Sequence, residues 1–250
     1  MRIVLCGIAV ILAAMVTVTT ASAAEIKMLA SNAVKEACSE LLPYFEKISG
    51  HTVKATWGGT VDITKRIAGG EVVDIVVIPA SGIDDLIQQG RLSAGSRKDF
   101  VKSVIGVAVR PGAPRPDMSS GETIKRALLE SKSIVLSSGP SSIYLAGLFK
   151  RMGIAEAIKS KTKQLAPGLS VGEALARGEG DIGFTQVSEL LAIQGIDYIG
   201  PLPADIQQIT VFSIGLHANA PSAEAAKALI QFLTSPEAAP AIRHSGLEPG

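Results

Sequence analysis

The chain is poor in cysteine, histidine, aromatic residues and net charge. Two cysteines among 250 residues exclude a disulfide-stapled secreted scaffold. The three histidines, His51, His217 and His244, stand far apart, so no metal-binding spacing is present. Aromatics make up 4% of the sequence and charged residues 19%, with a formal net charge of +1. That balance leaves no electrostatic footprint for nucleic acid. A disordered chain is excluded too, because 47% of the residues are hydrophobic and little net charge opposes collapse. Neither a P-loop nor an H-E-x-x-H motif occurs.

What is present begins with a leader. Arg2 precedes an uncharged apolar run, Ile3 to Val18, and Ala21-Ser22-Ala23 follows. This is the n-region, h-region and A-x-A site of a secretory signal. The run is shorter than the ~20 residues of a membrane span. Residues 1–23 are therefore expected to be removed on export to the periplasm. The mature chain then has 250 − 23 = 227 residues, with 24 − 1 = 23 basic against 23 acidic side chains. Cys38 is its one cysteine, at helical spacing with Leu41, Leu42 and Phe45, and is expected to be a small core residue.

The mature chain alternates β-branched runs with amphipathic stretches. Strands are predicted at Ile26–Leu29, Thr52–Thr56, Val73–Ile78, Val101–Val109, Ser133–Leu136, Ile182–Thr185 and Ile209–Leu216. Helical spacing is found after Val34 and near 61–67, 82–89, 123–129, 141–152, 171–177, 187–194 and 223–233. Such alternation predicts an α/β fold with mostly parallel sheets. A Pro-rich turn after Val109 starts a second series. Two α/β lobes are expected, with long strands at Val101–Val109 and Ile209–Leu216 as crossovers. Residues 24–104 form the first part of lobe 1, 105–208 lobe 2, and 209–250 the returning part of lobe 1.

The chemistry lies in short polar loops between strands and helices. They are Ala30-Ser31-Asn32, Gly58-Gly59-Thr60, the stretch from Ser137 to Ser142, Leu169-Ser170-Val171, and Thr185-Gln186. In open α/β sheets ligands bind beyond the carboxyl ends of strands. Helix N-termini there present free N–H groups and partial positive charge. These loops contain no Lys or Arg, so a small anion would be held by neutral donors. Each loop alone also reads as ordinary capping, and Ser170 with Glu173 fits a capping box.

Two enzyme motifs compete. Gly168-Leu169-Ser170-Val171-Gly172 matches G-x-S-x-G, with His217 or His244 in the right order for a serine hydrolase using Ser170, but Ala166-Pro167-Gly168 directly precedes the serine and the strand upstream is short, where a solid strand is required. Gly178-Glu179-Gly180-Asp181-Ile182-Gly183 matches G-x-G-x-x-G, yet it precedes a strand instead of following one and reads as a turn.

The whole mature chain, through Met28-Leu29-Ala30-Ser31, Thr56 to Ile67, Val73 to Ala80, Gly139 to Gly153, Val171 to Leu175 and Gly183 to Ser188, resembles the periplasmic solute-binding proteins of ABC importers. Within them it is most similar to the molybdate-binding family, a type II periplasmic-binding-protein fold. The resemblance implies oxyanion ligands at Ser31, Thr60, Ser141, Val171 and Gln186. Gln186 replaces the family's tyrosine, and Gly59 thins its serine cluster. The resemblance makes a molybdate- or tungstate-like oxyanion the expected ligand; because an amide both donates and accepts where a phenol mainly donates, a small di- or tricarboxylate is the alternative. The implied protein is a monomer without catalysis, cofactor or metal. It captures a small anion between closing lobes and hands it to an inner-membrane ABC permease.

Overall fold

The computed structural model describes residues 23–250. The expected leader, 1–23, lies outside them save for Ala23. The elements alternate as follows: β1 (Glu25–Ser31), α1 (Lys35–Ser49), β2 (Thr52–Gly58), α2 (Thr60–Ala68), β3 (Ile75–Pro79), α3 (Ala80–Gln88) and β4 (Lys98–Val109). Next come α4 (Gly121–Glu130), β5 (Ile134–Leu136), α5 (Pro140–Arg151), α6 (Ala155–Lys159), β6 (Thr162–Gln164), α7 (Val171–Ala176), β7 (Ile182–Gln186), α8 (Val187–Leu191) and β8 (Asp197–Pro201). β9 (Ile209–Leu216), α9 (Ala223–Leu233), α10 (Ala239–His244) and β10 (Glu248–Pro249) complete the chain.

The apolar stripe of α1 dictates its placement. Ala37, Cys38, Leu41, Leu42 and Phe45 are all buried, and Gly50 ends the helix in the left-handed conformation, φ 73°. Burial pushes the Cys38 thiol up to about 12, as expected of a core residue and not of a reactive thiol. Ile75 to Ile78 of β3 are buried on both faces, which is why that strand reads as a continuous apolar run.

The strand order is β2-β1-β3-β9-β4-β7-β5-β6, with β8 and β10 also paired to β4. β1 is parallel to both β2 and β3, and β5 is parallel to both β6 and β7. β4 belongs to both halves. It pairs antiparallel with β9 as far as Val104 opposite Ile209, and with β7 from Ile105 opposite Gln186. Separate apolar clusters pack under each half. These are two α/β lobes, as expected, but each sheet is mixed and not mostly parallel: β9, β10, β7 and β8 pair antiparallel with β4, and β9 also pairs antiparallel with β3.

The second crossover differs from expectation. Among the described residues β9 pairs only with β3 and β4, on the first sheet, and the chain returns through 202–208 before β9 begins. At that crossing Gln207 substitutes for a strand partner. Its Nε2 donates to Ile105 O at 3.0 Å and to Leu202 O at 3.2 Å, and its Oε1 accepts from Ile105 N at 3.0 Å.

The G-x-G-x-x-G segment is a turn into β7. Gly183 has a packing reason: a Cβ there would lie 2.6 Å from Val171 Cγ1 and 2.9 Å from Leu175 Cδ1. α7 therefore rests directly on β7, and this fixes the loop ahead of α7 at the interlobe cleft.

Candidate functional site

The carboxyl ends of β1, β2, β5 and β7 meet at a small cavity of about 30 Å³ between the lobes. Lobe 1 contributes Ser31, Asn32, Gly59 and Thr60, together with Phe212 of β9. Lobe 2 contributes Ser137 to Ser141, Gly168, Leu169, Thr185, Gln186 and Glu189. Among the described residues, no Lys, Arg or His lines it.

The lobes are closed around this space. A Cβ at Gly59 would be 3.7 Å from Gly168 N and from Pro167 Cβ. On the other side, Ser188 Oγ of α8 donates to Ala33 O at 2.7 Å, a buried bond between the lobes.

Ser31 is buried, and its Oγ accepts from Ala33 N at 3.4 Å, so it caps the short helical turn after β1. Its hydroxyl proton is left free for a ligand. Ser141 Oγ lies 3.0 Å from Ser137 Oγ. Thr60 Oγ1, Gln186 Nε2 and Gln186 Oε1 are buried with no hydrogen-bond partner among the described residues. Buried polar atoms are nearly always paired, and three orphans around one cavity mark it as built for a polar ligand. Three helices starting here, α2 after Gly59, α5 after Gly139 and α8 after Gln186, have no side-chain cap.

Four of the five residues expected from the resemblance, Ser31, Thr60, Ser141 and Gln186, thus line one cavity, two from each lobe. Val171 is not among the wall residues; it is buried at the start of α7 against Gly183, and Gly168 and Leu169 of the same loop face the cavity instead. Ser170 is the N-cap of α7 and accepts from Glu173 N at 3.3 Å. Only this half of the expected capping box forms, because Glu173 turns toward Arg177 at 3.7 Å. Neither candidate histidine is bonded to Ser170: His217 Nδ1 accepts from Asn219 N at 3.1 Å, and His244 lies 3.4 Å from Glu40. Ser170 is a helix cap and not a paired nucleophile.

Sequence reasoning missed Glu189. It stands one turn beyond Gln186 on a helix of five residues, and the Thr185 hydroxyl donates to its Oε2. Burial pushes its carboxyl above the usual range, and the Thr185 bond opposes that only in part. The one signal in the sequence was a polar residue at the third position of an otherwise mostly apolar helix, which reads as ordinary N-terminal capping.

Comparison with known proteins agrees with this geometry. The family described as bacterial extracellular solute-binding protein matches residues 26–248. An aconitate isomerase of a Pseudomonas species is 36% identical over 89% of this chain and 87% of its own length. The molybdate-binding protein ModA of Azotobacter vinelandii is 25% identical over 90% of each chain. The solved structure of the Azotobacter vinelandii periplasmic molybdate-binding protein superposes with a TM-score of 0.75 at 17% identity, covering 90% of this chain and 99% of that one. At this identity the superposition speaks for the fold.

Proposed function

Because the chain belongs to the bacterial extracellular solute-binding protein family, matched over residues 26–248, we propose that it captures a small polycarboxylate between its lobes in the periplasm and delivers it to an ABC permease. One observation carries the ligand class. Both ends of the Gln186 amide are buried and unpartnered among the described residues, in a cavity that Glu189 also lines.

A fully ionised tetrahedral oxyanion has acceptors only. It satisfies Gln186 Nε2 but leaves Oε1 orphaned, at a cost of about 1–3 kcal/mol. It also meets the Glu189 oxygens with no cation to offset them. A polycarboxylate carrying a hydroxyl or a retained proton supplies donors as well as acceptors. The 36% identity to an aconitate isomerase, named for a tricarboxylate, supports the same class.

Ser31, Thr60 and Ser141 are the remaining ligand-binding side chains of this reading. Closure turns on the Val104–Ile105 step of β4, where pairing passes from one sheet to the other. This reading keeps 24–104 and 209–250 in one lobe and 105–208 in the other, as the change of partner along β4 supports.

A second reading, a molybdate- or tungstate-like oxyanion, is favoured by the cavity volume of about 30 Å³, small against the ~300–1,000 Å³ of typical ligand pockets. Under the first reading the ligand holds the lobes slightly further apart.

Calorimetry of the secreted chain against trans-aconitate, citrate, molybdate and sulfate separates the two. Micromolar or tighter binding of a carboxylate, with molybdate at least tenfold weaker, is the expected result; the reverse order rejects the carboxylate reading. An NMR time course with cis- and trans-aconitate distinguishes capture, which leaves each isomer unchanged, from turnover, which interconverts them.

A further inference from the structure

Glu189 is the feature that an anion receptor has least reason to contain. An ionised carboxylate facing the cavity repels the ligand the cavity is built for. Neutral donors supply the rest of the wall, and among the described residues no Lys, Arg or His is there to compensate. Glu189 Oε2 is bonded to the Thr185 hydroxyl, and among the described residues Oε1 has no partner. Beside it, the buried Gln186 amide is unpartnered at both ends.

Resting on the polycarboxylate reading, we propose that Glu189 shares one proton with a carboxyl group of the bound ligand, so that capture is proton-linked and Glu189 sets the ligand class. In the complex two carboxyl groups face one another and hold a single proton between them, since two like charges at hydrogen-bond distance do not both ionise. Where Glu189 is already a carboxylic acid, its O–H donates to the ligand carboxylate and no covalent bond changes. Where it is ionised, one proton enters from solvent with the ligand. Burial favours the acid form already in the free protein.

No neighbouring charge among the described residues supplies another explanation. The elements packed on α8 are β4, α7, β7, β8 and the turn after β1. Their ionisable residues include Lys98, Asp99, Lys102, Glu173, Asp197 and Tyr198. None of these lines the cavity or acts on the Glu189 carboxyl, which answers only to burial and to Thr185.

The test is calorimetry of trans-aconitate binding from pH 5 to pH 9, in paired buffers of different ionisation enthalpy that count the protons taken up. Wild type should pass through an interval in which uptake approaches one proton and affinity falls about tenfold per pH unit. The ligand's own titration is common to all variants and cancels in their comparison. In Glu189→Gln, whose amide still donates, that extra uptake and extra slope should vanish. Thr185→Val should move the interval to higher pH, because it removes the bond that favours the charged form.

Equal proton uptake in wild type and Glu189→Gln, with trans-aconitate still bound, overturns the proposal and leaves the polycarboxylate reading standing. Molybdate bound tightly with no carboxylate bound by the wild type overturns both. Circular dichroism confirms folding. If Glu189→Gln does not fold, Thr185→Val decides alone: an interval that stays at the wild-type pH overturns the proposal.

Discussion

Replacing Gln186 with leucine should stabilise the free protein while weakening its ligand. Gln186 is 2% exposed, and neither amide atom has a partner among the described residues. An orphaned buried polar group costs about 1–3 kcal/mol, and leucine fills a similar volume without one. Water in the unliganded cavity covers part of that cost, so a gain of about 1–2 kcal/mol is expected. For a chain of this length that corresponds to roughly 2–8 °C in Tm. The bound state reverses the sign. Hydrogen bonds to a charged ligand are worth about 1.5–3 kcal/mol, or roughly 10- to 150-fold in Kd. Scanning calorimetry of protein stripped of ligand by unfolding and refolding reads the first effect, and titration with trans-aconitate reads the second. A Tm that falls, with affinity unchanged, would refute the claim that Gln186 is held unpaired for a ligand.

Other expectations concern single groups. Ser31→Ala and Thr60→Val should each lose about 1.5–3 kcal/mol of binding with little change in unliganded stability, as titration calorimetry would reveal. Ser170→Ala should lower stability by about 1 kcal/mol through the lost cap and leave ligand affinity nearly intact; loss of all binding or turnover would restore Ser170 as a functional residue. Burial raises the Glu189 carboxyl, so the folded state holds its proton to higher pH than the unfolded chain does. The associated stability is present below the ordinary carboxylate range and is lost as pH rises through the raised value. Urea unfolding at a series of pH values should show this decline in wild type and not in Glu189→Gln.

Much of this architecture is legible in the sequence because its signals are periodic or chemical. The stripe Val34, Ala37, Cys38, Leu41, Leu42, Phe45 and the run Ile75 to Ile78 each point to one structure, since burial on one helix face or on both sheet faces needs that spacing. Loops after strands point to the cleft for a topological reason: the carboxyl ends of parallel strands all face the same way. Short elements escaped. α6, β6 and β8 span three to five residues, too few to complete a helical or alternating pattern. The second crossover escaped as well, since residues 202–208 hold only one short 3-10 turn, Ala204–Ile206, and are tied down by the Gln207 amide instead of a ladder.

The site divides along the same line. Ser31 and Gln186 end strands, and Thr60 and Ser141 lie in the first turns of helices, positions that sequence pattern locates. Val171 does not line the cavity because Gly183 lets α7 settle onto β7 and turns Gly168 and Leu169 toward the ligand space. Glu189 enters it because α8 is clasped between the lobes by Ser188 and Ala33, residues 155 positions apart. Sequence determined the elements, the loops and their neutral donors. Tertiary structure alone decided which side chains face one another, because closing two lobes joins residues whose separation along the chain carries no periodic signal.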